Sequence, residues 1–229
     1  MRASDWFGFG ALAALIASVV ALASGRPGWA LASFLSGLVA ALLTRHWSTK
    51  YPGPMPYVLR WTLRVPRGNQ SPEHLRRALE PRRGERILEV GPGIGTHALP
   101  VAAALAPGGT LDIFDIQQEM LDDVMRRAGS VGITNIAPRL GSADALPYPD
   151  DTFDGAYLVG VLGEVPNGPA ALRELHRVLK PQGRLVVGEI FFDPEFVRLG
   201  ALAKRAEAAG FALERKLGNS LTYLARFRC

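Results

Sequence analysis

The chain has 229 residues, of which 48% are hydrophobic and 21% are charged, and its net charge is +5. This length accommodates one domain of about 150 residues plus an extension. The single cysteine, Cys229, excludes an internal disulfide and disfavours a thiolate metal site, and the four histidines lack metal-ligand spacing. We therefore expect a reducing compartment and no metal centre.

The positive charge is concentrated in one segment. Residues 1–44 carry a net charge of +1, residues 45–86 a net +7 and residues 87–229 a net −3. A nucleic-acid-binding domain spreads basic charge over one of its faces, whereas the long C-terminal segment here is acidic. We therefore expect no nucleic-acid partner.

Two uncharged apolar segments come first in the chain, at residues 6–24 and 27–44. Nineteen helical residues span about 28 Å, close to the hydrocarbon core of about 30 Å. The apolar part of the second segment is shorter and crosses only if the helix extends to Trp47. Tryptophans stand at the segment ends, as in an interfacial aromatic belt. These features predict a two-helix membrane hairpin over residues 1–47.

The hairpin has three alternatives: a cleaved signal peptide, a buried helical pair in a soluble protein, and a hairpin within one leaflet. A signal peptide fits poorly, because Asp5 offsets the single arginine before the apolar run and a second apolar run follows. The Arg/Lys excess after the second helix favours cytoplasmic retention. We therefore expect a two-pass membrane protein with its catalytic domain in the cytoplasm.

A basic, proline- and aromatic-rich connector is predicted over residues 48–72. Its proline-rich part, residues 51–57, is typical of a stiff, extended spacer. Arg60 and Arg64 are four residues apart and share one face if the segment is helical. Beside a bilayer, such residues attract anionic headgroups by about 1 kcal/mol each. A solvated connector is the alternative.

Residues 73–229 alternate predicted strands with predicted helices, which is typical of a doubly wound α/β sheet. Gly218-Asn219 is a hairpin turn signal, so the last two strands should form an antiparallel edge. The predicted strands lie near 86–90, 110–115, 135–140, 153–159, 184–192, 211–217 and 221–227. The predicted helices lie near 73–80, 96–105, 117–131, 168–179 and 195–209.

The most informative motif is a glycine turn after the first of these strands. Glycines at 91, 93 and 95 follow an apolar run that contains Glu89, and a helix can begin just after them. Glycine permits positive φ and close approach of a ligand to the backbone, and a helix start offers free N–H groups. A dinucleotide fingerprint needs its third glycine at position 96, which is Thr96. The spacing therefore disfavours a nicotinamide-dependent reductase.

Two acids downstream extend the motif. Asp115 ends the second strand and can accept hydrogen bonds from both ribose hydroxyls, and Asp144 lies in a loop where it can accept from an adenine amino group. Together with the helix and turn at residues 173–183, this pattern resembles class I S-adenosylmethionine-dependent methyltransferases. Most similar is the ubiquinone/menaquinone methyltransferase branch, and the resemblance covers roughly residues 70–229.

The resemblance implies a seven-stranded Rossmann-like sheet with S-adenosylmethionine across the carboxyl ends of its first strands and S-adenosylhomocysteine as the product. It places the methionine part at the glycine turn, the ribose at Asp115 and the adenine at Asp144. It also implies that the connector before the glycine motif, residues 48–72, forms a lid over the active site. The candidate cofactor-binding residues are Glu89, Gly91, Pro92, Gly93, Gly95, Thr96, Asp115, Ile116, Gln117, Ser142, Ala143, Asp144, Ala145, Val159 and Gly160.

Glu164 is the candidate catalytic residue, because it is the only acid in the loop after the fourth strand. Methyl transfer is an in-line displacement that mainly needs positioning and exclusion of water, with a base only when the acceptor carries a proton. A surface or helix-terminal carboxylate is the alternative role. The sequence Val159–Leu162 lacks the Asn/Asp-Pro-Pro-aromatic turn of methyltransferases that act on DNA adenine or glutamine amides.

The sequence therefore predicts a membrane-tethered methyltransferase with a lipophilic acceptor: a quinone precursor, a phospholipid or another membrane lipid. Tethering confines the enzyme beside a substrate that stays in the bilayer. A catalytically inactive membrane-bound protein that binds adenosylmethionine or acts as a scaffold is the alternative. The sequence does not give the oligomeric state.

Overall fold

The computed structural model describes residues 3–64 and 68–229, with side chains from residue 13 onward. A helical hairpin and a connector precede an α/β domain. The helices are α1 (Ala3–Ala23), α2 (Pro27–Lys50), α3 (Pro72–Leu79), α4 (Ala98–Leu105), α5 (Gln118–Ser130), α6 (Gly168–Val178) and α7 (Leu199–Ala208). The strands are β1 (Arg86–Val90), β2 (Thr110–Asp115), β3 (Ile136–Leu140), β4 (Phe153–Val159), β5 (Leu179–Ile190), β6 (Ala212–Gly218) and β7 (Thr222–Arg228).

The seven strands form one mixed sheet in the order β3-β2-β1-β4-β5-β7-β6. Strands β1 to β5 are parallel, and β7 pairs antiparallel with both β5 and β6. The predicted doubly wound sheet and its antiparallel edge are therefore confirmed. The strand order reverses between β1 and β4, and the carboxyl ends on either side of such a switch point form a crevice where ligands bind.

Both faces of the central strands are buried. Ile87 and Leu88 are neighbours on β1, have no exposed surface and belong to two separate apolar clusters. Successive side chains of a strand point to opposite faces, so helices cover the sheet on both sides. Burying each such side chain stabilises the fold by about 1.5–3 kcal/mol. This packing fixes the carboxyl end of β1.

Two element boundaries of the α/β domain differ from the prediction by more than two residues. Strand β5 begins at Leu179 instead of residue 184, because Leu179 pairs with Phe153 before the register shifts. Helix α7 begins at Leu199 instead of residue 195. The chain before it is drawn into the core, where the Val197 N–H donates to the buried Glu189 carboxyl at 3.0 Å.

The N-terminal helices pack against each other on either side of a break at Gly25, which has φ +68°. The Ser18 hydroxyl on α1 donates to the Ala30 carbonyl on α2 at 2.9 Å. Helix α2 has 24 residues and a length of about 36 Å, so it continues beyond residue 47, where the predicted hairpin ends.

Helix α2 is the one helix among the described residues that is long and apolar enough to cross a membrane, judged by length and composition. In α1 the described side chains give a shorter apolar stretch, Ala13–Ala23, and the predicted position of Trp6 lies outside the described side chains. Most large apolar side chains of α2 are exposed, so α2 is not the core helix of the α/β domain.

Candidate functional site

Two adjoining cavities lie at the carboxyl ends of the central strands. The first has a volume of about 130 Å³ and lies by the ends of β1, β2 and β4. The second, of about 500 Å³, lies between the glycine turn and the start of α3. Both are lined by Leu63, Gly91, Gly93 and Val159, so the glycine turn and the connector form their shared boundary.

The glycine turn requires glycine at two positions. Gly91 and Gly93 have φ of +69° and +53°, values that other residues rarely adopt. A Cβ on Gly91 would lie under 3.0 Å from Cγ2 of Val161, and one on Gly93 would lie 2.7 Å from Cδ1 of Leu63. Bare backbone at these positions therefore lets Val161 and Leu63, which line the cavities, pack directly against the turn.

Asp115 places a largely buried carboxylate on the first cavity. It ends β2, is 9% exposed and accepts a hydrogen bond from the Gln117 N–H at 2.9 Å. Burial raises the pKa of Asp115 to about 6. No Lys or Arg within the described ranges forms an ion pair with it, so its free acceptor positions remain available to a hydroxyl-bearing ligand.

Glu89 lies below the glycine turn and lines neither cavity. Its side chain is 2% exposed, and Oε2 has no hydrogen-bond partner among the described residues. Burial raises the pKa of Glu89 to about 8; the Asp115 charge adds to this rise, and the Tyr157 hydroxyl opposes it. The resulting group is a buried acid whose ionisation any nearby positive charge would favour.

Gln70 is the most unusual residue of the second cavity. It is 1% exposed, yet neither atom of its side-chain amide has a hydrogen-bond partner within residues 3–64 and 68–229. Its backbone carbonyl lies 2.7 Å from Nε2 of His97. Thr96 and Arg127 line the same cavity. Buried polar groups normally have hydrogen-bond partners, and a polar ligand in this cavity would supply one to the amide.

The connector covers the site through three contacts. The Met55 N–H donates to the Glu164 carboxylate at 3.1 Å, and the Met55 carbonyl accepts from the Gln117 side chain at 3.0 Å. The Tyr57 hydroxyl donates to Asp123 on α5 at 3.1 Å. Hydrogen bonds therefore hold the connector, the segment predicted as a possible lid, across the first cavity.

Nine of the fifteen predicted cofactor residues line the first cavity: Gly91, Gly93, Asp115, Ile116, Gln117, Ser142, Ala143, Val159 and Gly160. Two further predicted residues, Pro92 and Thr96, line the second cavity. The candidate catalytic residue Glu164 also lines the first cavity.

Four predicted residues line neither cavity: Glu89, Gly95, Asp144 and Ala145. Gly95 instead packs on α4, since a Cβ there would lie 2.9 Å from Cδ1 of Leu99. In the adenine loop, the Ala145 N–H donates to the Ser142 carbonyl. This turn leaves Ser142 on the cavity wall and Asp144 outside it.

Sequence reasoning missed Gln70 and the apolar part of the lining. A lone glutamine before a helix carries no signal, and an apolar lining residue looks like a core residue until the fold is known. The missed apolar residues of the first cavity include Met55, Leu63, Phe114, Met120 and Val161.

The fold is that of class I S-adenosylmethionine-dependent methyltransferases. A SAM-dependent methyltransferase from Aquifex aeolicus superposes with a TM-score of 0.69 over 76% of this chain and 98% of its own, at 19% identity. The [4+2]-cyclase SpnF superposes with a TM-score of 0.62 over 69% of this chain and 78% of its own, at 20% identity. At such identities the similarity establishes the fold alone.

A sequence model of the ubiE/COQ5 methyltransferase family matches residues 71–198, and the chain belongs to this family. A demethylmenaquinone methyltransferase of Symbiobacterium thermophilum is 40% identical over 121 residues, which are 52% of this chain and 48% of that protein. The chain spans about half the length of the curated relatives it matches. The family's cofactor is S-adenosylmethionine. Three features of the site fit it: the glycine turn, the Asp115 carboxylate, and the Gln70 amide, which has no hydrogen-bond partner among the described residues.

The glycine turn generates the first prediction. Gly91→Ala should lower the affinity for S-adenosylhomocysteine at least tenfold, because the left-handed backbone costs about 1–2 kcal/mol and the stiff Val161 side chain must move. Calorimetric titration measures the affinity. Gly200→Ala, on the open face of α7 with nothing near its Cβ, is the control and should bind normally. Normal binding by both variants would contradict a role of the glycine turn in cofactor binding.

The buried Glu89 generates a pH prediction. The pKa of Glu89 is about 8 in the folded protein and near 4.3 in the unfolded chain. The stability of the fold is therefore highest, as far as Glu89 determines it, below pH 4.3, and this stability is lost as the pH rises through 8. Glu89→Gln should therefore raise the melting temperature of the ligand-free protein more at pH 9 than at pH 6. Glu207→Gln, on the surface of α7, should give the same small change at both pH values. Equal shifts for the two variants would mean that Glu89 is not held in its acid form.

Proposed function

We propose that this chain transfers the methyl group of S-adenosylmethionine to a lipophilic quinone precursor at the cytoplasmic surface of a membrane. One observation carries the proposal: three features lie together at one edge of the sheet. They are the glycine turn, the Asp115 carboxylate, and a covered, largely apolar cavity that Glu164 also lines. Membership of the ubiE/COQ5 family supports the same chemistry.

The two cavities together would hold the cofactor. Asp115 would accept hydrogen bonds from the ribose hydroxyls, and Ile116 and Ser142 would border the adenine. The amino-acid end would extend past Gly93 into the second cavity, where Gln70 offers both a donor and an acceptor. Leu63, which lies on the boundary, would then cover the middle of the ligand.

The bound cofactor supplies an electrophilic methyl group on a positively charged sulfur. The chain's own residues bind, orient and exclude water. Met55 and Val161 give the first cavity apolar walls, and the connector covers it. Glu164, whose carboxylate accepts from the Met55 N–H, is the residue placed to take a proton from a carbon or hydroxyl acceptor.

The relatives support a quinone precursor over the other lipid acceptors. One is named a demethylmenaquinone methyltransferase and another, from Edwardsiella ictaluri, a ubiquinone/menaquinone biosynthesis C-methyltransferase. Methylation of a ring carbon releases a proton, which requires an acceptor base such as Glu164. Quinone precursors with isoprenoid tails are also confined to membranes, which matches the apolar N-terminal hairpin.

The hairpin would cross the bilayer twice and leave both of its ends in the cytoplasm. The exposed apolar surface of α2 supports this arrangement, because large apolar side chains that the rest of the chain leaves exposed need lipid or protein around them. The basic residues of the connector would then contact anionic headgroups.

Cofactor binding is the first test. Asp115→Asn should weaken S-adenosylhomocysteine binding roughly 10–100-fold, because a hydrogen bond to a charged group contributes about 1.5–3 kcal/mol. Asp122→Asn, on the exposed face of α5, is the matched control and should bind like the wild type. Unchanged affinity in Asp115→Asn, measured by calorimetry, would exclude the proposed ribose contact.

Topology is the second test. In a Cys229→Ser background, Ser24→Cys marks the hairpin break and Ser130→Cys marks the end of α5; both hydroxyls are exposed and donate to a helix carbonyl. A membrane-impermeant maleimide should label Ser24→Cys in right-side-out vesicles and Ser130→Cys in inside-out vesicles. Labelling of both only in inside-out vesicles would place the hairpin within one leaflet.

A further inference from the structure

Phe192 is a large apolar residue whose side chain is exposed. It follows β5 at the carboxyl edge of the sheet and is 89% exposed. Phe191 beside it is partly exposed, and the next residue, Asp193, lines the first cavity. The loop therefore presents an aromatic tip to its surroundings while its base forms part of the cavity wall.

Arg45 of α2 fastens this loop to the hairpin. Its guanidinium donates to the Phe191 carbonyl at 3.3 Å and lies over two rings, 5.2 Å from the centre of Phe191 and 5.9 Å from the centre of Phe196. Cation–π contacts of this kind are attractive. Arg45 therefore sets the position of the loop along the axis of α2.

The length of α2 relates that position to a bilayer. Pro27 begins the helix, and Arg45 is eighteen residues further on, a rise of about 27 Å. A hydrocarbon core is about 30 Å thick. If Pro27 lies at one boundary of the core, Arg45 lies close to the other, where its charge can reach headgroups. The Phe191 carbonyl, bonded to Arg45, lies at the same depth.

We propose that Phe192 inserts into the cytoplasmic face of the bilayer and that the cavity beside it takes its lipid acceptor directly from that leaflet. This inference rests on the proposed membrane hairpin and adds the orientation of the active site. The aromatic tip contacts the lipid interface, because the tip continues the exposed apolar surface of α2. Lys50, an exposed basic residue at the end of α2, complements anionic lipids at the same boundary.

The partly or largely exposed aromatic residues near this end of the hairpin fit the same orientation. They are Trp47, Tyr51 and Trp61. Tryptophan and tyrosine prefer the boundary between headgroups and hydrocarbon. By contrast, the amino edge of the sheet lies at the opposite side of the domain and should face water. Val131, exposed there at the end of α5, provides a matched apolar position for comparison.

The test uses the full chain in vesicles of phosphatidylcholine and phosphatidylglycerol. In a Cys229→Ser background, Phe192→Cys and Val131→Cys each carry an environment-sensitive nitrobenzoxadiazole label. The label at 192 should emit further to the blue and be quenched several-fold more by spin-labelled lipid than by iodide. The label at 131 should show the reverse. Neither result should depend on the protein-to-lipid ratio.

Three results would overturn the inference. The first is equal iodide quenching at 192 and 131 in protein that alkaline carbonate does not extract. This result would be consistent with the membrane hairpin but would contradict insertion of Phe192. A blue shift at 192 that persists in detergent or grows with protein density would assign the tip to a second copy. Extraction of the chain by carbonate would remove the membrane hairpin together with the inference.

Acceptor entry has its own readout. With reduced demethylmenaquinone in the vesicles, Phe192→Asp should raise the apparent KM for the lipid several-fold, whereas kcat and S-adenosylhomocysteine affinity stay within twofold of the wild type. Val131→Asp should change none of these. An unchanged KM in Phe192→Asp would contradict entry beside the tip. No turnover by the wild type would instead count against the proposed acceptor, and the fluorescence result would still decide the orientation.

Discussion

The contact on which the structure depends is the close approach of side chains to bare backbone at the end of β1. The Gly91 N–H donates to the Phe114 carbonyl of β2 at 2.9 Å, which continues the sheet into the turn. Val161, after β4, and Leu63, in the connector, then pack where glycine Cβ atoms would be. One turn thus joins three strands of the sheet to the connector and leaves a cavity on each side. A larger residue there would separate these parts.

Two buried carboxyl groups lie below and beside this turn, where a cationic ligand would favour their ionised forms. Glu89 and Asp115 are buried carboxyls with raised pKa values and no ion pair among the residues the structure describes. An uncompensated buried carboxyl destabilises a fold, so their presence indicates that stability is given up for binding. Adenosylmethionine carries a sulfonium and an ammonium group, and either favours ionised carboxyls nearby. The same argument explains why the glycine spacing and the acids occur together.

The sequence predicted the parts of the fold that follow from local patterns. Apolar runs located the central strands, and the turn signal at Gly218-Asn219 located the antiparallel edge. It failed where long-range contacts decide. Gln70 enters a cavity only after the connector folds back over the sheet. Asp144 is a local exception, because a turn from Ser142 to Ala145 leaves it outside the cavity lining. Helix α7 also begins later than predicted, because the Val197 N–H donates a hydrogen bond to Glu189.

The central claim is methyl transfer to a membrane lipid, and incorporation of labelled methyl groups tests it most directly. The full chain in vesicles that contain reduced demethylmenaquinone is given S-adenosylmethionine labelled at its methyl group, and the lipid extract is analysed by mass spectrometry. The account predicts labelled quinone that depends on the protein and is lost in Asp115→Asn. Intact binding of S-adenosylhomocysteine with no label in any lipid would contradict the account and indicate a binding or scaffold protein.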